Sequence, residues 1–176
     1  MGVLLWSMHI SKAAISPTMK KLTLVTLLIF SCATAWAADF DKGLAAARAG
    51  DFATALAEWK PLAEQGDAVA QFYLGVMYAN GEGVLEDDKE AVKWFKLAAE
   101  QGYAKAQYNL GLMYDNGEGV IQDNVYAHMW CNIAASNGSE NAKKGKDILA
   151  KQMTPQDISK AQDLARECVK KNYKDC

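Results

Sequence analysis

The chain has 176 residues with 51% hydrophobic and 23% charged side chains, which bounds it to one folded domain or a short repeat array and excludes wholesale disorder. Only three prolines and an abundance of alanine favour an all-α fold. The formal charge is −2, and beyond Ala37, where nineteen Lys and Arg lose three members and twenty-one Asp and Glu lose none, it is −5. No basic surplus is left to follow a phosphate backbone, so nucleic acid is not an expected partner.

Residues 1–37 read as an N-terminal extension and cleaved signal peptide. Lys20-Lys21 supplies a positive start, Leu22 to Phe30 an apolar run of nine residues, and Ala35-Trp36-Ala37 an A-x-A cleavage site. Nine residues are too few to span a bilayer. Met19, followed by two lysines, is the expected true start in place of Met1. A rival reading is lipidation: Ile29-Phe30-Ser31-Cys32 is similar to a lipobox, although the bulky Phe30 fits it poorly. Unless Cys32 carries a lipid, no membrane contact is expected after cleavage. Both readings place the mature domain outside the cytoplasm, in the periplasm or secreted, as in Gram-negative export.

Residues 38–66 read as an atypical helix pair: Phe40 to Ala49, a turn at Gly50-Asp51, then Phe52 to Gln65, with Pro61 either bending that helix or marking its last turn. Two units at a 36-residue period follow, 67–102 and 103–138. Leu74-Gly75-x-Met77-Tyr78 recurs as Leu110-Gly111-x-Met113-Tyr114, and Asn80-Gly81-Glu82-Gly83-Val84 as Asn116-Gly117-Glu118-Gly119-Val120. Ala70, Leu74, Met77 and Tyr78 make one apolar stripe on the first helix of the pair. Mid-helix Gly75 and Gly111 cost about 1 kcal/mol each against Ala. Their recurrence predicts a close approach under a large side chain of the partner helix, with Trp94 and Trp130 the expected candidates. Asp87 with Glu90 reads as a capping box for the second helix, and Asp123 as a plain N-cap for its counterpart. Ala91, Trp94, Phe95 and Ala98 share a face, and Gly102 and Gly138 end the second helices. After Gly138 the period decays into capping helices over 139–176: a polar one over Glu140 to Met153, then one opened by Thr154 as N-cap, Pro155 at N1 and Asp157. Ile158, Ala161, Ala165 and Cys168 are its expected buried stripe, making it a lid over the last hydrophobic face.

Leu-Gly-x-Met-Tyr, Asn-Gly-x-Gly-Val, Asp, Ala-x-x-Trp and Ala-Ala-x-x-Gly at this period resemble the Sel1-like repeat family, relatives of the tetratricopeptide repeat. The resemblance covers Phe40 to about Cys176. It implies a short right-handed α-solenoid of antiparallel helix hairpins used mostly for protein–protein binding; it does not imply a catalytic residue, and no cofactor is expected. The ending, with its Cys-x₇-Cys, matches that of many secreted Sel1-like proteins. Export favours disulfides, and a turn at Asn172-Tyr173 would bring Cys168 to Cys176; that bridge is expected, with Cys131 buried and free. The alternative is a metal site built from His128, Cys131 and the other two cysteines, which the oxidising compartment and the missing C-x-x-C oppose.

Other chemistry is thinly represented. No phosphate loop, Ser-x-x-Lys or His-Glu-x-x-His is present. His128 is the one histidine beyond Ala37 and sits at an ordinary helix position. Glu82, Glu86, Asp87 and Asp88 are explained by capping and solvation, and Trp94 and Trp130 by core packing. What is left is a second apolar stripe on the first helices: Val69, Phe72 and Val76, then Tyr108 and Leu112. By resemblance to tetratricopeptide repeats these line a concave groove with Ala79, Asn80, Lys105, Asp115 and Asn116, suited to a peptide or helix of another protein. Two other outcomes stay open: neighbouring repeats bury the stripe, or the C-terminal helices fill the groove. The expected function is an exported interaction module or scaffold; the alternatives are an envelope hydrolase or β-lactam-binding enzyme and a structural part of an envelope assembly.

Overall fold

The structure is a computed structural model and describes residues 38–176. The signal-peptide, start-site and lipobox readings lie outside the described residues. Eight helices follow one another: α1 (Phe40–Arg48), α2 (Phe52–Glu64), α3 (Ala68–Asn80), α4 (Asp88–Ala99), α5 (Ala104–Asn116), α6 (Asn124–Ser136), α7 (Glu140–Ala150) and α8 (Pro155–Lys170). From α1 to α7 each helix packs on the next, which is the consecutive hairpin packing of a solenoid. The chain breaks this rule once, at the end: α8 packs back on α6. The last helix is therefore a lid on the side of the stack that carries the second helices.

Helix starts follow the sequence. Carboxylates of Asp39, Asp51, Asp67, Asp87 and Asp123 and hydroxyls of Ser139 and Thr154 accept from first-turn N–H groups, which have no partner inside the helix. The helix α5 begins at Tyr103 without such a cap. The capping box at Asp87 forms only halfway. Its carboxylate accepts from the N–H groups of Lys89 and Glu90, but Glu90 turns to Lys93 at 3.1 Å. The N–H it was expected to satisfy, that of Asp87, already donates to the Tyr78 carbonyl at 2.9 Å. The polar helix after Gly138 is also shorter than expected, ending at Ala150.

The mid-helix glycines mark close approach, but not under the tryptophans. A Cβ on Gly75 would lie 2.6 Å from the Phe95 ring, and one on Gly111 3.0 Å from Cys131 Sγ. Phe95 and Cys131 are each one residue beyond the expected Trp94 and Trp130. A helix turns about 100° per residue, so the neighbouring side chain faces elsewhere. Trp130 is fully buried in the main core, whereas Trp94 is half-buried against the first one, its indole N–H without a partner. The same device appears where the sequence pattern is silent: Gly43 of α1 lies under Trp59 of α2, its would-be Cβ 2.5 Å from the indole nitrogen. Gly43 and Trp59 are 16 residues apart against 20 for the later pairs, because the α1–α2 turn is four residues shorter. The first pair is thus a full hairpin of the same kind.

A polar contact repeats with the same period. Gln71 and Gln107, both buried, donate Nε2 to the carbonyls of Ala63 and Ala99 at the end of the preceding hairpin, at 3.1 and 3.0 Å. Their Oε1 atoms accept from Gln101 Nε2 and Asn137 Nδ2, both at 2.8 Å, at the end of their own hairpin. Each glutamine therefore ties three consecutive helices together. The C-terminal loop joins this line. Cys168 and Cys176 are bonded, and the loop they close sets the Tyr173 hydroxyl 3.2 Å from Asn137 Oδ1 and Lys174 Nζ 3.2 Å from Glu100. Cys131 is the free, buried thiol.

Gln107→Leu keeps the volume and removes both hydrogen bonds, leaving the carbonyl of buried Ala99 and the Asn137 amide each with one partner fewer. It is expected to lower unfolding free energy by about 1–3 kcal/mol in urea titration, with the helical spectrum of the folded state unchanged. A loss within error of zero would show that the tie contributes nothing.

Candidate functional site

The first helices α1, α3 and α5 leave two open clefts between them. One, of about 320 Å³, lies between α1, α2 and α3 and is lined by Leu44, Phe52, Tyr73 and Val76 with Arg48 and Glu82 at its edge. The other, of about 170 Å³, lies between α3 and α5: Val76, Phe95, Leu112 and Met113 are apolar, and Asn80, Asn109 and Glu118 are polar. Val76 belongs to both. Glu82 and Glu118 occupy equivalent places in their loops, and each is held by the amide two residues earlier: Asn80 Nδ2 donates to Glu82 at 3.2 Å, Asn116 Nδ2 to Glu118 at 3.1 Å. The loops themselves are rigidly placed. Glycines at 83 and 119 have φ of +73° and +67°, and their backbones press on Phe52 and on the Asp88 carbonyl of the preceding hairpin, leaving no room for a side chain.

The nine residues expected to line a groove do not all meet. Val76, Asn80 and Leu112 converge on the α3–α5 cleft, and Asn116 sets the glutamate at its lip. Phe72 and Tyr108 are taken up by packing between hairpins. The Phe72 ring lies 5.9 Å from Phe95 and 5.3 Å from Tyr103, and Tyr108 packs on Cys131 with α7 approaching at Gly145. Val69 and Lys105 sit in the first turns of α3 and α5, each about 10 Å along the axis from Val76 and Leu112. Lys105 lines a separate, more polar depression of about 620 Å³ with Ser139, Glu140 and Asn141. Asp115 contributes its carbonyl, which accepts from Gln122 Nε2 at 2.6 Å. Both open outcomes are thus partly realised: Phe72 packs against rings of α4 and the start of α5 and α7 approaches Tyr108, while Val76 and Leu112, half-buried like them, line the open cleft. Asn109 and Glu118 are additions. A helix wheel would place Asn109 beside Leu112 and Met113, and the 36-residue period would pair Glu118 with Glu82.

Nucleophilic or metal chemistry finds little support. Burial, and secondarily the charge of Asp115, pushes the Cys131 thiol up to about 12, so it stays protonated and inert. Cys168 and Cys176 are bonded to each other, which removes two ligands of the metal alternative. Among the described residues no three His, Cys, Asp or Glu are grouped to hold a metal ion, and no helix is long and apolar enough to cross a membrane.

Residues 68–103 and 104–139 each match the Sel1 repeat family. A comparison with curated proteins found no match. Among solved structures the chain is similar to c5321, a protective antigen present in uropathogenic Escherichia coli strains displaying an SLR fold, with 29% identity over 74% of this chain and 30% of that one and a TM-score of 0.70. It is also similar to a Sel1 repeat protein from Oxalobacter formigenes, with 32% identity over 63% of this chain and 46% of that one and a TM-score of 0.61. It spans less than half the length of either.

His128 is buried on α6 with its Nδ1 unpartnered. Burial lowers its pKa from 6.5 and the charge of Lys146 on α7 lowers it further, with Asp147 opposing. The unfolded chain therefore takes up a proton before the folded one does, and stability falls as pH drops below about 6.5. Glu58, whose pKa is lowered from 4.5 chiefly by Lys42, acts only at more acid pH. Urea midpoints should be level from pH 8 to 7 and decline from 6.5 to 5, and His128→Gln should flatten that decline. An unchanged slope in the variant would assign it to other groups.

Proposed function

Since the chain is a Sel1 repeat protein, similar in structure to bacterial SLR proteins, we propose that it is an exported interaction module that holds a peptide or helix of another protein along its first helices. The observation that carries this is the α3–α5 cleft. Half-buried Val76 and Leu112 line an open gap there, floored by the buried Phe95 and Met113. Sel1 repeats generally mediate protein interactions, and a rigid scaffold with an aliphatic cleft and flanking amides suits a short segment entering with its own apolar side chain. Val76, Asn80 and Leu112 make the contact. Phe72 and Tyr108 support it from beneath, Asn116 orients Glu118, and Val69, Lys105 and Asp115 extend the surface towards either end.

Export draws support from the Lys20-Lys21 to Ala37 pattern and from the Cys168–Cys176 bond, which persists in an oxidising compartment. The antigenic character of the Escherichia coli relative agrees with an envelope location. The periplasm or the exterior is the proposed site of action.

Photo-crosslinking in the native envelope tests the reading. A benzoylphenylalanine at Val76 or Leu112 should give one dominant protein adduct, and the same probe at Lys143, exposed on α7, should not. Leu112→Glu should abolish the adduct made from position 76. Equal labelling at all three positions, or none at 76 and 112, would sink the proposal.

A further inference from the structure

The clefts have a charge register as well as a shape. Glu118 at the lip of the α3–α5 cleft and Glu82 at the lip of the α1–α3 cleft recur at the 36-residue period, each fixed by its asparagine. Neither takes part in any of the five ion pairs found among the described residues. Arg48 shares the α1–α3 cleft with Glu82, so that cleft carries both signs. The α3–α5 cleft has no cationic lining residue; its polar groups are Glu118 and two amides. Asn109 makes no side-chain hydrogen bond among the described residues. Asn80 uses only its Nδ2, which leaves its Oδ1 for an incoming main-chain N–H.

We infer that the α3–α5 cleft selects a peptide segment in which a branched aliphatic side chain is followed or preceded within a few residues by Lys or Arg. The aliphatic group fills the space between Val76, Phe95, Leu112 and Met113, and the cation reaches Glu118. Asn80 and Asn109 pair with the main chain between them. An aliphatic hole whose one charged lining residue is a pre-positioned carboxylate favours a nearby cation and repels an acid. The carboxylate is exposed, so its contribution to affinity is modest, about five-fold at low salt, and its larger effect is on choice of partner. This inference rests on the interaction-module reading above, and the test separates the two.

The probes are four sets of twelve-residue synthetic peptides on a glycine–serine background, carrying Leu with Lys, Leu with Gln, Leu with Glu, or Gln with Lys. Binding to the purified, disulfide-bonded chain is read by fluorescence anisotropy. The Leu–Lys set should bind about five-fold tighter than Leu–Gln in 50 mM salt, and the gap should close in 500 mM salt. Glu118→Gln, which keeps the acceptor for Asn116, should erase that preference and leave Leu–Gln binding as it was. Leu112→Glu should remove binding of every Leu-bearing set. If Leu–Gln or Leu–Glu binds as well as Leu–Lys and Glu118→Gln changes nothing, the charge inference falls and the module stands. If Gln–Lys binds as tightly as Leu–Lys, attraction is unspecific and the inference falls. If no set binds and sedimentation shows a dimer that Leu112→Glu dissolves, the occupant is a second copy and the inference falls. If no set binds, the chain is monomeric and crosslinking at Val76 and Leu112 is also blank, both readings fall together.

Discussion

Two helices of this molecule come close wherever a glycine deletes a Cβ beneath a side chain of the partner, and three successive hairpins are built on that contact. Gly43 lies under Trp59, Gly75 under Phe95, Gly111 under Cys131. At Gly43 and Gly75 any other residue would push the pair apart, because the ring above is itself buried; at Gly111 the fit is tight but looser, 3.0 Å to the thiol and 3.2 Å to the Ala127 carbonyl. The covering group shrinks along the stack from indole to phenyl to thiol. Where it is smallest, the next helix moves in: α7 meets Cys131 and Tyr108 through Gly145. The end of the array is closed by its own geometry.

Close packing within hairpins would not by itself fix how one hairpin sits on the next. That is the contribution of the buried glutamines. An amide has both a donor and an acceptor, so Gln71 and Gln107 can satisfy a carbonyl of the hairpin before and an amide of their own at once. A buried polar group with both ends satisfied is tolerated, and one with an end missing is costly, which makes the contact a test of register. At the end of the stack no further hairpin offers a partner, and the disulfide-closed loop supplies Tyr173 to Asn137 instead.

These two constraints explain why the clefts lie where they do. First helices are drawn towards their own second helices by the glycines, and hairpin to hairpin at the glutamine end. At the opposite end, beyond Val76 and Leu112, nothing draws α3 and α5 together, and the gap stays open. The loops after α3 and α5 close over that end only as far as their own packing allows. Backbone at Gly83 and Gly119 is pressed on the preceding hairpin, which leaves Glu82 and Glu118 at the lips.

The chain order of the helices, their starts, the 36-residue unit and the Cys168–Cys176 bond were all legible in the sequence, because each depends on local chemistry. A carboxylate caps the helix that follows it, a glycine ends the one before, and an apolar stripe repeats with the helical turn. Facing was not legible to within one residue. The period places Trp94 and Phe95 on adjoining sides of a helix, and only the docked partner decides that Phe95 meets Gly75 while Trp94 looks towards the first core. Nor could the pattern say which of the nine expected groove residues are covered. Phe72 and Val76 are a single turn apart on one helix, yet one is held between rings from α4 and the start of α5 and the other opens on a cleft. Both are half-buried, and which of them lines the open cleft depends on how far the next hairpin reaches, a distance that exists only once the hairpins have stacked.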